Sequence, residues 1–542
     1  MGSDKSEDIS NHSLEQDSDT YNMDDRQPNL AQQRLTENSD SSGTPVYAGH
    51  ADNNQEDNAV QQQQLNAKVS GADDQSAPKA NEQDQALSQQ SPASPQYISF
   101  FSRDYKPHRR KIHKRFLLIN LLMSSLILIA FSIYWGSYYD INDNLKNLKF
   151  LVVIGDEQTV DGVEPVFGNA MDDILQRPQA KASGDWHIYK ESEFENLANE
   201  HNNTIRGEIL RRVHHQLYWS AIYVKPNASY NYVQALKKGD TSYNASDNTV
   251  TAYYETGRDF LAMRSYVTPQ LSKIQSMWFE QQPNLLSQLS ENITIQSQQQ
   301  KQLYAQPIHF TMVDRIPFTD NVLSAPLQVG FIYMIIVSFF QFNFFADAHL
   351  KVAKSPINRL HYVVYRYISS ICSFFFLSLM FGLVTLAFQV DFTPTYGRSG
   401  FLVYWCISFL TMSAVGLATE IMGMFIIPFY PPLLGFWLIL WVISNIAPTY
   451  TAMALTNNFF RYGYAMPIHN SYEAVKTVFF DVYKGQLGRN FGILVAWVVL
   501  LSVIFPFAVM YFGKAMGKKA AVAAQQEAAK RAESEKKTSG DV

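Results

Sequence analysis

The sequence predicts a polytopic α-helical membrane protein: six transmembrane helices, with a mixed α/β extracytoplasmic domain inserted between the first and second. Three observations carry this. Residues 116–139 are free of charge and directly follow seven Lys or Arg residues within 103–115. Five further apolar stretches lie between residue 326 and residue 513. Four of the chain's five Asn-x-Ser/Thr sequons fall in the one long polar stretch between those blocks. The overall composition agrees. Only 17% of residues are charged and 14% are aromatic, yet the apolar fraction is an ordinary 46%, so apolar residues are concentrated in some segments and scarce in others.

The scarce part comes first. Residues 1–95 carry 17 acidic residues against five basic ones. Such a segment cannot bury enough apolar surface to offset chain entropy, so residues 1–98 read as a disordered, acidic cytosolic tail, with phosphoacceptor serines such as Ser39, Ser41 and Ser42. Residues 99–115 form a basic juxtamembrane segment with a single acid, Asp104. About 20 apolar residues cross a bilayer as a helix, which makes 116–139 the first span. The preceding positive cluster places the N-terminus in the cytosol and suits contact with anionic lipid. The later spans read as 326–346, 367–389, 401–424, 432–447 and 491–513, with Pro428, Pro431 and Pro432 marking the turn before the fifth. Six spans put both termini in the cytosol. Lys351, Lys354, Arg359 and Arg366 fit a cytosolic connection between the second and third spans, and Lys514, Lys518 and Lys519 fit a cytosolic tail over 514–542 that continues as a frayed helix.

Residues 140–325 form the extracytoplasmic domain, with Asn202, Asn227, Asn244 and Asn292 as glycosylation sites. Asn11 opens the fifth sequon, on the cytosolic side. Phe150 to Ile154 and Trp219 to Val224 are strand candidates, and Phe167 to Leu175 and Tyr232 to Lys238 read as helices. A further helix is expected over 273–282, stopped by Pro283. The domain has no cysteine; the chain's two are Cys372 and Cys406, which excludes a disulfide-stapled or cysteine-rich zinc fold.

No Gly-rich phosphate loop and no nucleophile elbow is present, and the pI near 6.2 argues against nucleic acid. His214 and His215 are adjacent, which rarely serves one metal ion, and Asp172 with Asp173 reads as a solvated helix face. The chain is therefore read as a non-enzyme without metal or cofactor. Two features in the membrane half stand out. Ser413, Gly416, Glu420 and Gly423 share one face of the fourth span, where small residues permit close helix approach and the carboxylate must avoid lipid. Glu420 is either a proton- or substrate-linked polar site or a hydrogen-bonded tie between helices. The connection 447–490 contains an expected amphipathic helix over 471–483. Val475, Val478, Phe479 and Val482 form its apolar stripe, with Glu473, Lys476 and Asp481 off that stripe, and it is placed at the outer membrane interface.

Several segments together resemble the fungal nitrosoguanidine-resistance protein family, with a membrane plan similar to an ABC-2-type permease. They are LKNLKFLVVIGD (145–156), YWSAIYVKPNAS (218–229), GDTSY (239–243), the span around Gly416 and Glu420, RYGYAMPIHN (461–470) and NFGILVAW (490–497). The resemblance covers residues 100 to 515. Its most specific stretch supplies Arg461, Tyr462, Gly463, Tyr464, Pro467, His469 and Asn470. It implies a fungal plasma-membrane protein, with the endoplasmic reticulum as the alternative. The implied role is export of toxic compounds or transbilayer lipid distribution, without an ATPase of its own. Membrane lipids, amphipathic toxic compounds, and a second copy or separate protein are the implied partners. The second function class left open is a non-transporting membrane regulator that binds proteins through its ectodomain and tails.

Overall fold

The computed structural model describes residues 99–539, which belong to one compact unit. The expected acidic tail, with Asn11 and the serines named above, lies outside the described residues. Among the described residues six helices are long and apolar enough to cross a membrane: Lys106–Asn147, Asn321–Lys354, Arg359–Ala387, Thr393–Phe429, Leu433–Tyr450 and Leu487–Ala532.

Between the first two in sequence lie the five strands of a single sheet: β1 (Lys149–Ile154), β2 (Asp185–Lys190), β3 (Ser220–Val224), β4 (Val250–Tyr254) and β5 (Thr311–Asp314). Their order is β2-β1-β3-β4-β5. β1 runs parallel to both neighbours, with Val152 opposite Ile188 and Ile222. β3 and β4 are antiparallel, and β4 and β5 parallel. A central parallel strand is covered on both faces, which explains why β1 is apolar throughout. Strand alternation then divides its side chains. Val152 and Ile154 join Phe167, Tyr232, Ile222 and Trp278 in one core. Leu151 and Val153 join Phe194, Ile209 and Ala221 in the other.

The crevice at the carboxyl end of β1 and β3, where open parallel sheets commonly receive ligands, is filled by the chain itself. Asp156, 2% exposed, accepts hydrogen bonds from Ser229 Oγ (2.6 Å), Ser229 N (3.1 Å) and Gly168 N (3.1 Å). A smaller cluster, Ile141, Leu148, Phe150, Met263, Val267, Ala452 and Leu455, fastens the start of β1 to the segment after the fifth span.

In the helical half the fourth span is the most buried and the first is almost unburied, lying against the fifth. Exposed Phe116, Leu117, Leu121 and Leu128 on the first span suit lipid contact. The small residues of the fourth span receive rings. A Cβ on Gly416 would come within 2.4 Å of Phe374 Cζ, and one on Gly423 within 2.6 Å of Phe342 Cε1.

Several boundaries differ from the sequence expectations. The helix expected to stop at Pro283 runs over Thr268–Ser290, with Pro283 inside it. An internal proline costs about 3 kcal/mol, but Leu285, Leu286 and Leu289 beyond it are buried in the core, each worth about 1.5–3 kcal/mol. Pro428 likewise lies inside the helix Gly400–Phe429, and only Pro431 and Pro432 occupy the turn. The third span starts at Arg359, so Arg366 is no connecting charge but a buried residue of that helix. The sixth continues as helix through the expected helical tail to Ser539.

The loop helix is Pro467–Phe480, ended by Asp481 in the left-handed region (φ 54°). It is enclosed by protein on all sides rather than presenting one polar face to solvent. Thirteen of its fourteen residues are buried, Lys476 among them, because the fourth and sixth spans and the sheet unit enclose it. Val475, Val478 and Phe479 are buried as expected, with Val482 just beyond the helix end.

Candidate functional site

Glu420 is fully buried, and so are Ser413, Gly416 and Gly423. Its Oε2 accepts a hydrogen bond from Arg366 Nη2 at 3.1 Å, linking the third and fourth spans in an ion pair whose members are 0% and 5% exposed. Ser370 and Gln341 stand beside the carboxylate. Both amide atoms of Gln341, Glu420 Oε1 and Arg366 Nη1 have no hydrogen-bond partner. The pair is therefore a polar knot in an apolar bundle, of the two readings closer to a tie between helices. Sequence analysis missed Arg366 because it counted that residue with the connecting charges. The available signal was Glu420 itself, since a buried carboxylate needs a cation on a neighbouring helix.

The larger feature is a cavity of about 1260 Å³ between the first span, the end of the fifth, the segment after it and the sheet unit. Ser132 and Gly136 contribute from the first span, Thr449 and Thr451 from the end of the fifth, and Asp185 and Trp219 from the sheet unit. Of the motif residues, Arg461, Tyr464 and His469 line it. The others shape the wall. Gly463 packs so closely on Pro448 that a Cβ would lie 2.3 Å from its Cβ. Pro467 opens the loop helix at a position where no amide hydrogen is needed. Asn470, fully buried, donates to the carbonyls of Tyr464 (2.9 Å) and Met466 (2.8 Å), closing the turn into the helix. Tyr462 has a buried hydroxyl without a partner and does not reach the cavity lining.

The cavity floor holds four charges that the sequence did not bring together: Arg258, Asp259, Glu473 and Lys476. Lys476 Nζ donates to Glu473 Oε1 (2.8 Å) and to the backbone carbonyl of Arg258 (2.6 Å). Arg258 donates to the Tyr218 carbonyl (2.6 Å) and lies 3.9 Å from the centre of the Trp219 ring. Burial lowers the Arg258 guanidinium to about 10. Burial raises Asp259, while the nearby Lys476 charge opposes that. Burial acts in the same direction on Glu473, but the Lys476 charge and hydrogen bond, with the Arg258 charge, outweigh it and hold the carboxyl below its ordinary value. The floor is thus a mutually neutralised quartet.

His469 differs. Burial holds its imidazole at about 4, helped by the Lys476 and Arg489 charges against Glu473. The folded ring is neutral where an unfolded one, near 6.5, would take a proton. Its stabilising contribution is therefore complete above that value and is lost as pH falls from 6.5 toward 4, by at most about 1.4 kcal/mol per pH unit. Melting temperatures from neutral pH down to about pH 5 should drop more steeply in the native protein than in His469→Gln. Parallel slopes would remove His469 from the acid response.

The other candidates are placed as follows. His214 contacts Glu255 at 3.2 Å, and His215 stacks on Tyr483 at 4.6 Å between centroids. Asp172 and Asp173 are exposed on their helix. Asn202, Asn227, Asn244 and Asn292 are all exposed.

A family profile described as "Protein of unknown function (DUF3533)" matches residues 119–503. An uncharacterized endoplasmic reticulum membrane protein of Saccharomyces cerevisiae (YJR015W) is 35% identical over 446 residues, covering 79% of this chain and 86% of the relative. No solved structure matches the chain significantly. The matched region takes in all five strands, the second to fifth spans and most of the first, so it reaches both halves of the structure.

Proposed function

We propose, from the premise that the chain belongs to the DUF3533 family of proteins of unknown function, that this membrane protein receives the polar end of an amphipathic molecule in its cavity. It thereby contributes to lipid distribution across the bilayer or to removal of amphipathic toxic compounds. The single observation behind this reading is the position of the cavity. It is walled on one side by ends of the first and fifth spans and on the other by the polar sheet unit, so one site meets both an acyl chain and a headgroup. No phosphate loop for ATP is present in the sequence, so directional movement would draw on a gradient or a separate motor. No catalytic step is assigned to the chain. The name of the yeast relative favours the endoplasmic reticulum as the membrane.

Purified protein in liposomes with fluorescent phospholipid should raise the fraction of label accessible from the second leaflet. Ser132→Trp, which fills the wall contributed by the first span, should slow it. Rates equal to protein-free liposomes would reject the transport reading and leave the regulator.

The same reading places the sheet unit outside the cytosol and both termini inside. Four exposed sequon asparagines support it. Glycosidase should increase gel mobility of the native protein, and mutating Asn202, Asn227, Asn244 and Asn292 together should abolish the shift. A persistent shift in the quadruple variant would overturn this topology.

A further inference from the structure

Within the cavity wall the charges are not all satisfied alike. In the floor Lys476 pairs with Glu473 and Arg258 donates to the Tyr218 carbonyl, whereas among the described residues Arg461 and Arg489 form no ion pair. Arg461 Nη1 contacts the Tyr464 hydroxyl at 3.3 Å. Arg489 lies 5.5 Å from the centre of the Tyr464 ring and donates to Gln486 Oε1 at 2.6 Å. His469 packs edge-on against the same tyrosine, with ring centroids 5.5 Å apart. It is 6% exposed, lines the cavity, and its Nδ1 has no hydrogen-bond partner. It occupies the first turn of the loop helix, where Asn445 Oδ1 takes the Ile468 amide at 3.4 Å. Two unpaired guanidinium groups and a buried imidazole with an unpartnered Nδ1 therefore surround one ring. This is the chemistry of an anion site, and guanidinium forks suit phosphate oxygens.

Resting on the reading that the cavity receives an amphipathic molecule, we propose that Arg461, Arg489 and His469 form a subsite for the phosphate of a glycerophospholipid headgroup. The lipid source, rather than free phosphate, follows from what stands beneath. Trp497 of the sixth span donates to the Ala465 carbonyl (2.6 Å), within the segment that carries Tyr464. Trp497 packs edge-on to Trp441 of the fifth span at 5.8 Å, and Trp441 stacks on Trp437 at 5.3 Å. An aromatic column thus runs from the segment that carries Tyr464 along the fifth and sixth spans, and the acyl chain of a lipid held at Tyr464 would lie beside it.

The test uses the full chain in detergent micelles. Retention of phosphatidylcholine is compared with retention of diacylglycerol bearing the same acyl chains, by mass spectrometry of the intact protein. The native protein should favour the phospholipid by about tenfold or more, as expected for charged hydrogen bonds. The Arg461→Gln/Arg489→Gln variant should retain both lipids equally. Both arginines are exposed, so the variant should melt with the native protein. Inorganic phosphate should fail to displace the phospholipid at millimolar concentration. Equal retention of the two lipids by the native protein would overturn the phosphate subsite and leave the cavity reading intact. Retention of neither would overturn both. Displacement by inorganic phosphate would overturn the lipid assignment. A double variant that keeps the native preference would show that these arginines do not hold the phosphate.

Discussion

Arg366→Ala should destabilise the protein by about 3–5 kcal/mol, the cost of leaving a buried charge without its partner. The substitution strands Glu420, which is wholly buried and has no other close cation. Glu420→Ala should be comparably damaging for the mirrored reason. Replacing both residues with methionine should recover most of the loss, since two apolar side chains of similar volume then pack where the pair was. Thermal denaturation of detergent-solubilised protein, read by the loss of its monodisperse chromatographic peak, measures all four forms. If either single variant melts with the double one, the two residues are not energetically coupled, and the knot between the third and fourth spans is not an ion pair.

Lys476→Asp should be as disruptive as Phe479→Asp, against the expectation from sequence that Lys476 occupies a solvated face. Phe479 packs on Phe392 (5.5 Å) and Tyr404 (5.2 Å), so a carboxylate there enters an aromatic core. Lys476 is 3% exposed and supplies the cation between Glu473 and Asp259. A carboxylate at that position would gather three acids in a closed space. Each change should cost several kcal/mol, whereas Lys484→Asp, on a half-exposed pair with Asp481, should stay within about 1 kcal/mol. Steady-state abundance of the three variants in the membrane fraction, side by side, decides the matter. Normal abundance of Lys476→Asp would mean that its ammonium reaches water.

The comparison of expectation with structure has a physical pattern. Short and long apolar runs were legible, because burial of β1 on two faces and of spans in an apolar bundle imposes composition directly. Thus 150–154 and 220–224 lie in strands, and six long apolar helices stand close to the expected spans. Proline was over-read. Pro283 sits inside a helix because burial of Leu285, Leu286 and Leu289 beyond it exceeds its local cost, and Pro428 occupies the last turn of its helix, one residue before the end. The candidate sites were legible only by half. The Tyr464 and His469 motif lines the cavity, but Arg258, Asp259 and Arg489 come from elements with no shared spacing in the chain. Lys476 illustrates the limit best. Helical periodicity put it off the apolar stripe, and nothing in its neighbours reveals that the sheet unit closes over that side.

The bond from Lys476 to the Arg258 carbonyl joins residues 218 positions apart. It also fixes a sequence of events in biogenesis. The sheet unit is synthesised before the fourth span, and the loop helix before the sixth, so the helix emerges into a half-built enclosure. Its lysine remains hydrated until the last span inserts and the helix docks. Contacts so distant in sequence form slowly and leave an intermediate with exposed apolar surface. Truncations that delete the sixth span should therefore be recognised by the folding machinery of the membrane in which the chain is made, even though every strand and the first five spans are intact.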